Sequence, residues 1–289
     1  MSPTRPILRW HGGKWRLAPW VIDHFPPHKV YVEPFGGAAS VLLQKPRALS
    51  EIYNDLDRDV VRMFRVIRDQ SEELARAIAL TPYARDEYKG LYDPADDDLE
   101  ATRRFIVRSF MGMNSKGALA KSGFDARTNP DGFTSRLRSL ADLPDQVALV
   151  AGRFLHVLIE NCDATKLITR YDRDDALIYL DPPYVSETRS GKYYAHEMTD
   201  ADHSALLAAI DASSAMVVIS GYPSDLYDSA MKGWRRVETN AYTDGAKART
   251  EVLWINPKAW DRIERNQSSL FTNFARGISP CGNNVDNTP

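Results

Sequence analysis

No stretch of this sequence reaches the roughly 18 to 20 consecutive apolar residues that a membrane-spanning helix needs, and its start, Met1-Ser2-Pro3-Thr4-Arg5, lacks the apolar core of a secretory signal. A cytoplasmic protein is expected. Cysteine is scarce: Cys162 and Cys281 lie far apart and match no metal or redox spacing, which fits inert thiols in a reducing compartment and excludes a disulfide framework. An excess of one charge is missing as well. The 37 basic and 39 acidic residues give a net charge of −2, so no global positive field advertises a polyanion, and any such site must be a local patch. No internal repeat is present. What remains is a chain of 289 residues with 43% apolar content, enough to bury the core of one large domain or two modest ones.

Residues 29–60 read as a strand, a glycine-bearing loop, a helix over 38–43 and a second strand over 48–53, a βαβ opening. Strand patterns recur at 154–159, 177–180, 216–220, 237–242 and 251–255, with an amphipathic helix over 199–212. Short apolar strands alternating with helices predict an α/β fold whose mostly parallel sheet is covered on both faces. Residues 57–150 differ: helical periodicity over 60–79, a charged segment over 93–100, then a glycine-punctuated stretch. They read as an insertion forming a smaller, mainly helical domain. Charge is uneven there. Residues 101–140 hold eight Lys or Arg against two Asp, whereas 51–100 hold seven basic and fourteen acidic residues. The segment 266–289, rich in Asn, Ser, Gly and Pro, reads as a flexible tail.

Three constellations carry chemistry. In Glu33-Pro34-Phe35-Gly36-Gly37-Ala38, glycines after a buried strand let backbone approach a ligand, and a following helix would aim its N-terminal amides there. Asp55, 19 residues beyond Gly36 at the end of the next strand, stands where an acidic side chain can bond ribose hydroxyls. The pattern predicts an adenosine-bearing cofactor; the absent G-x-G-x-x-G spacing argues against a dinucleotide. In Asp181-Pro182-Pro183-Tyr184, two prolines remove two amide donors, so the carboxylate and nearby carbonyls form a pocket of acceptors suited to a planar amine. Gripping both amine hydrogens favours pyramidal nitrogen and restores its lone pair, and Tyr184 offers a flat face for a heterocycle. In Trp10-His11-Gly12-Gly13-Lys14, the first glycine and the final Ser or Thr of a phosphate loop are missing. Trp10 could instead cover a cationic cofactor.

In chain order, these motifs resemble the Dam-like family of DNA adenine-N6 methyltransferases, the DPPY-type alpha group, over about residues 8–256. The resemblance implies a Rossmann-like S-adenosylmethionine-dependent methyltransferase sheet at 1–56 and 151–265, with 57–150 as an inserted, mainly helical target-recognition domain. It implies that S-adenosylmethionine, leaving as S-adenosylhomocysteine, is held by Trp10, Lys14, Phe35, Gly36, Gly37, Ala38, Asp55, Asp163 and Asp181. Asp181, Pro182, Pro183 and Tyr184 would act on a flipped-out adenine of double-stranded DNA, with Asp163 on the cofactor adenine. Val217 to Tyr222 and Arg249, Glu251 and Asn256 also look like family motifs. The stretch around Asn114 and 131–133 follows only in part the Asn-, Gly- and aromatic-rich hairpin of GATC-reading members, so no recognition sequence is carried over.

Phosphate contacts are expected from Arg103, Arg104, Arg108, Lys116, Lys121, Arg127, Arg136 and Arg138, together with Asn114. Arg189, Lys192 and Tyr193 would grip the strand from which the base is extruded. The implied reaction is direct in-line methyl transfer, which asks for no metal and no covalent intermediate. A monomer or homodimer acting at the nucleoid is expected. Other readings are methylation of cytosine N4 or of a protein glutamine amide, whose planar nitrogens need the same acceptors, and a non-catalytic DNA-binding regulator with this fold.

Overall fold

The computed structural model describes residues 2–113, 121–128, 130, 135–185, 196–242 and 248–275. Seven strands form one sheet: β1 (Val30–Glu33), β2 (Ser50–Asn54), β3 (Val157–Glu160), β4 (Ala176–Leu180), β5 (Met216–Gly221), β6 (Arg235–Tyr242) and β7 (Ala248–Ile255). Their order is β3-β2-β1-β4-β5-β7-β6. The pairs from β3 through β5 are parallel, and β7 runs antiparallel to both β5 and β6. Strand order reverses between β1 and β4, so the loops leaving their carboxyl ends diverge and open a crevice. Those loops carry Pro34 to Ala38 and Asp181 to Tyr184.

Period-2 alternation divides the apolar side chains between two layers. Tyr31, Tyr53, Leu177, Tyr179, Met216, Val218, Leu253 and Ile255 face one core. Val30, Val32, Ile52, Ile178, Leu180, Val217 and Trp254 face the other. The second core is covered by α8 (Ala164–Arg170) and α9 (Asp200–Asp211), where Thr199 closes a capping box with Asp202.

The first core is covered by α1 (Ala18–Asp23), α2 (Arg58–Asp69), α3 (Ser71–Ala79), α5 (Asp98–Met111), α7 (Leu143–Phe154) and α11 (Pro257–Ala275). Two shorter helices, α4 (Arg85–Gly90) and α6 (Ser135–Ala141), add Tyr88 and Leu140 to it. Phe64 of α2 stacks on Phe154 of α7 with centroids 4.3 Å apart, and Tyr53 of β2 meets both rings. The helices of 57–150 thus share the core of the sheet face that they cover.

Three expectations need correction. Residues 38–43 form turns, not a helix, because Ala39 adopts φ +54°, which breaks right-handed propagation. The strand expected from residue 154 begins at Val157, since Phe154 ends α7. Residues 266–275, expected in the tail, continue α11. Residues 276–289 lie outside the described residues.

Candidate active site

The Trp10 loop and the β1 loop interlock. Gly13 N donates to Trp10 O at 3.2 Å, with Gly12 at φ +75°. The Trp10 indole packs over Gly37, where a Cβ would fall 2.9 Å from Trp10 Nε1. At Gly36 a Cβ would lie 2.1 Å from the Tyr53 ring, and the Tyr53 hydroxyl donates to Gly37 O at 2.6 Å. These glycines therefore make room for protein rings.

The amide expected to face a ligand is already engaged: Gly37 N donates to Asp55 Oδ2 at 2.8 Å, and Asp57 N donates to Oδ1 at 2.8 Å. Each oxygen keeps a second lone pair. Burial pushes the Asp55 carboxyl up to about 6, against these two amide bonds.

Beyond Asp55 opens a cavity of about 560 Å³ at the carboxyl ends of β1, β2 and β3, lined by Trp10, Phe35, Asp55, Asp163, Pro183 and Leu206 among others. Asp163 also caps α8, accepting from Thr165 N at 2.9 Å. Gly36 and Ala38 instead line a smaller cleft with Trp10, Lys14 and Asp181.

At the end of β4 a polar cluster occupies the core face. Lys14 Nζ lies 3.0 Å from Asp181 Oδ1 and 3.2 Å from Glu251 Oε1, with the lysine side chain 6% exposed. It also contacts the Tyr184 hydroxyl, which donates to Glu251 Oε1 at 2.9 Å. Ser220 donates to Asp181 Oδ1 at 3.1 Å and is itself bonded to the Tyr179 hydroxyl at 2.9 Å. The Tyr184 and Tyr222 rings meet at 4.2 Å and 50°.

Burial alone lowers the Lys14 pKa, but the charges of Asp181 and Glu251 outweigh it and hold the ammonium well above its ordinary value. Burial raises both carboxyls despite that ammonium. Glu33, 2% exposed, accepts from the Tyr31 hydroxyl at 2.8 Å. Its carboxyl is driven up to about 8 by burial, with the Asp181 charge adding to the rise, so it is mostly neutral at pH 7.

Among the described residues, both bonds to Asp181 reach Oδ1, which leaves Oδ2 to an incoming donor. The two prolines carry no amide hydrogen, so the loop presents acceptors at this point.

The roles of Glu33, Ser220, Tyr222 and Glu251 were not read from the sequence. For Glu33, Ser220 and Glu251 the signal was there: each puts a polar side chain in the strand register of buried apolar ones, Glu33 after Tyr31, Ser220 after Val218, and Glu251 before Leu253. Asn256, from the last motif, is architectural; its side chain bonds Val217 N, Ala215 O and Ala259 N.

Among the described residues, the basic side chains of 101–140 are not gathered as a bare patch. Arg103 pairs with Glu100 and Glu87, and Arg104 with Glu100 and the carbonyls of Asp93 and Pro94. Arg127 and Arg136 share Asp125. Arg108 and Lys121 lie over the Tyr92 ring, and Arg138 is exposed on α6. Asn114, Lys116, Arg189, Lys192 and Tyr193 lie outside the described residues. α5 reaches the loop that carries Trp10: Phe105 meets Trp10 at 6.3 Å, and Arg9 donates to the carbonyls of Ser109 and Gly112.

Among the described residues no helix is long and apolar enough to cross a membrane. The chain is 23% identical over 230 residues to the type II methyltransferase M.MjaIII of Methanocaldococcus jannaschii, covering 68% of this chain and 75% of that protein. It is 23% identical over 224 residues to the DNA adenine methylase of Vibrio cholerae, covering 73% and 76%. It is 26% identical over 211 residues to the DNA adenine methylase of Haemophilus influenzae, covering 70% and 72%. The profile of one family matches residues 10–243, which include the interlocked glycine loops, Lys14, Asp55, Asp181 and Tyr184, and end before Glu251. The chain belongs to the D12 class N6 adenine-specific DNA methyltransferases.

Proposed function

We propose that this adenine-N6 DNA methyltransferase takes its methyl group from S-adenosylmethionine and delivers it in one in-line step to an adenine turned out of double-stranded DNA. The observation that carries the reading is that Pro183 lines both the 560 Å³ cavity and a smaller pocket that it shares with Tyr184 and Tyr222, next to Asp181 at the end of β4. That volume lies within the range of about 300 to 1,000 Å³ usual for small-molecule sites. Its lining suits the cofactor's parts: Trp10 and Phe35 offer aromatic faces, Asp55 and Asp163 offer acceptors to hydroxyl and amine groups, and Leu206 offers an apolar wall.

Bound there, S-adenosylmethionine supplies an electrophilic methyl group and leaves as S-adenosylhomocysteine. The protein's own contribution is alignment and placed acceptors. Asp181 Oδ2 and carbonyl oxygens of the same loop grip the two amine hydrogens. Lys14 and Ser220 fix the carboxylate through Oδ1, so its free oxygen is presented without reorganisation. Asp181 need not be a strong base, because the amine nitrogen becomes acidic only as the methyl arrives.

Tyr184 provides the stacking face for the base. The basic stretch of 101–140 and the segment following Tyr184 supply phosphate contacts, and the protein acts in the cytoplasm at the nucleoid. To test the reading, duplex DNA is incubated with methyl-labelled S-adenosylmethionine and digested to nucleosides. Label in N6-methyladenine is expected; label in N4-methylcytosine, or in protein alone, would overturn the assignment.

A further inference from the structure

One charged side chain of the site sits inside a strand instead of on a loop. Glu251 lies on β7 in the register of Leu253 and Ile255, which face the first core, and its side chain is 2% exposed. Desolvating a carboxylate costs several kcal/mol unless bonds replace its water. Both replacements come from the chemical end of the sheet: the Tyr184 hydroxyl at 2.9 Å and the Lys14 ammonium at 3.2 Å, each reaching Oε1.

We propose that Glu251 is a positioning residue for capture of the target base, holding Tyr184 by its hydroxyl so that the ring is presented in one plane. The inference rests on the reading that Tyr184 stacks on the extruded adenine. A tyrosine anchored only at its Cα sweeps its ring through several rotamers. Tethering the para oxygen as well stops that sweep. Here the ring is tied at its far end to Glu251 and Lys14 and flanked on one face by Tyr222. Ordering that would otherwise oppose each stacking event is already complete before DNA arrives.

The test compares the wild type with Tyr184→Ala, Tyr184→Phe, Glu251→Leu, Glu251→Gln and the double variant Tyr184→Phe with Glu251→Leu. Two readouts are used: the fluorescence rise of a duplex carrying 2-aminopurine in place of the methylated adenine, and kcat and KM on the unmodified duplex. Glu251→Leu and Tyr184→Phe are each expected to weaken capture by about tenfold, a share of the 1 to 3 kcal/mol of a base stack. Glu251→Gln keeps an acceptor for the hydroxyl and is expected to stay within about threefold of the wild type.

The double variant should fall no further than Tyr184→Phe alone, because that variant has already lost the bond that Glu251→Leu deletes. Losses that multiply in the double variant would overturn the proposal. So would wild-type capture by Glu251→Leu and Tyr184→Phe while Tyr184→Ala fails. If Glu251→Leu does not fold, Tyr184→Phe decides alone, since it removes one oxygen from a half-buried ring. Undiminished capture by Tyr184→Ala would instead overturn the stacking reading, and this proposal with it.

Discussion

The ammonium of Lys14, just before α1, lies 3.0 Å from the carboxylate of Asp181 at the end of β4. Two motifs at distant points of the chain thus form one ion pair, and that pair sets the charge at the centre of the site. Burial raises the Asp181 carboxyl, and the Lys14 ammonium opposes that rise and so favours the ionised acceptor.

Lys14→Met removes that support. The Asp181 carboxyl then rises further, and the acid limb of the methyl-transfer rate, which needs the carboxylate, moves to higher pH. Single-turnover transfer measured from pH 6 to 9 at saturating cofactor checks this. An activity lost equally at every pH would point to a role for Lys14 in cofactor binding alone.

Glu33 makes stability itself depend on pH. The folded carboxyl keeps its proton up to about pH 8, whereas an unperturbed one releases it near 4.5. Between those values the folded state binds more protons than the unfolded state. Stability contributed by this group is therefore complete below about pH 4.5 and declines as pH rises towards 8, by at most about 1.4 kcal/mol per pH unit. Glu33→Gln abolishes the slope. Urea denaturation should show the variant gaining about 2 kcal/mol on the wild type between pH 5.5 and 7.5; parallel pH profiles would contradict the assignment of Glu33 as the proton holder.

The arginines of 101–140 are expected to separate into two groups. Arg103→Ala breaks bonds to Glu100 and Glu87 and should cost about 1 to 2 kcal/mol in unfolding free energy, with little change in the salt dependence of DNA binding. Arg138→Ala, on the exposed side of α6, should leave stability unchanged and lower the slope of log affinity against log salt by about 1. The reverse pattern would mean that the internal ion pairs open when DNA binds.

Much of this was legible before the structure. All seven strands were read, β3 alone with its start inside a helix, because runs such as 177–180 and 216–220 are almost wholly apolar, as strands buried on both faces must be. Asp181 to Tyr184 and the Gly36-Gly37 turn were found because prolines and glycines leave a local signature. Long-range pairings leave none, so the meeting of Lys14, Asp181 and Glu251 stayed hidden.

The helix expected over 38–43 failed for a related reason. Propensity favours it, but Ala39 adopts φ +54°, in a loop whose Gly37 is held by Tyr53 and Asp55, contacts made by another strand and its loop. The pairing of Arg103 and Arg104 with Glu100 was within reach, since three- and four-residue spacings place them on one helix face; the net charge of a segment does not say which charges are already spent.

The central claim is tested most directly by single-molecule sequencing of DNA from a methylation-deficient host expressing this protein, beside the same host expressing a folded Asp181→Ala variant. Methyladenine at one recurring sequence, absent with the variant, is the expected result. Unmodified DNA from a soluble, cofactor-binding wild type, or methyladenine that persists with Asp181→Ala, would contradict the account.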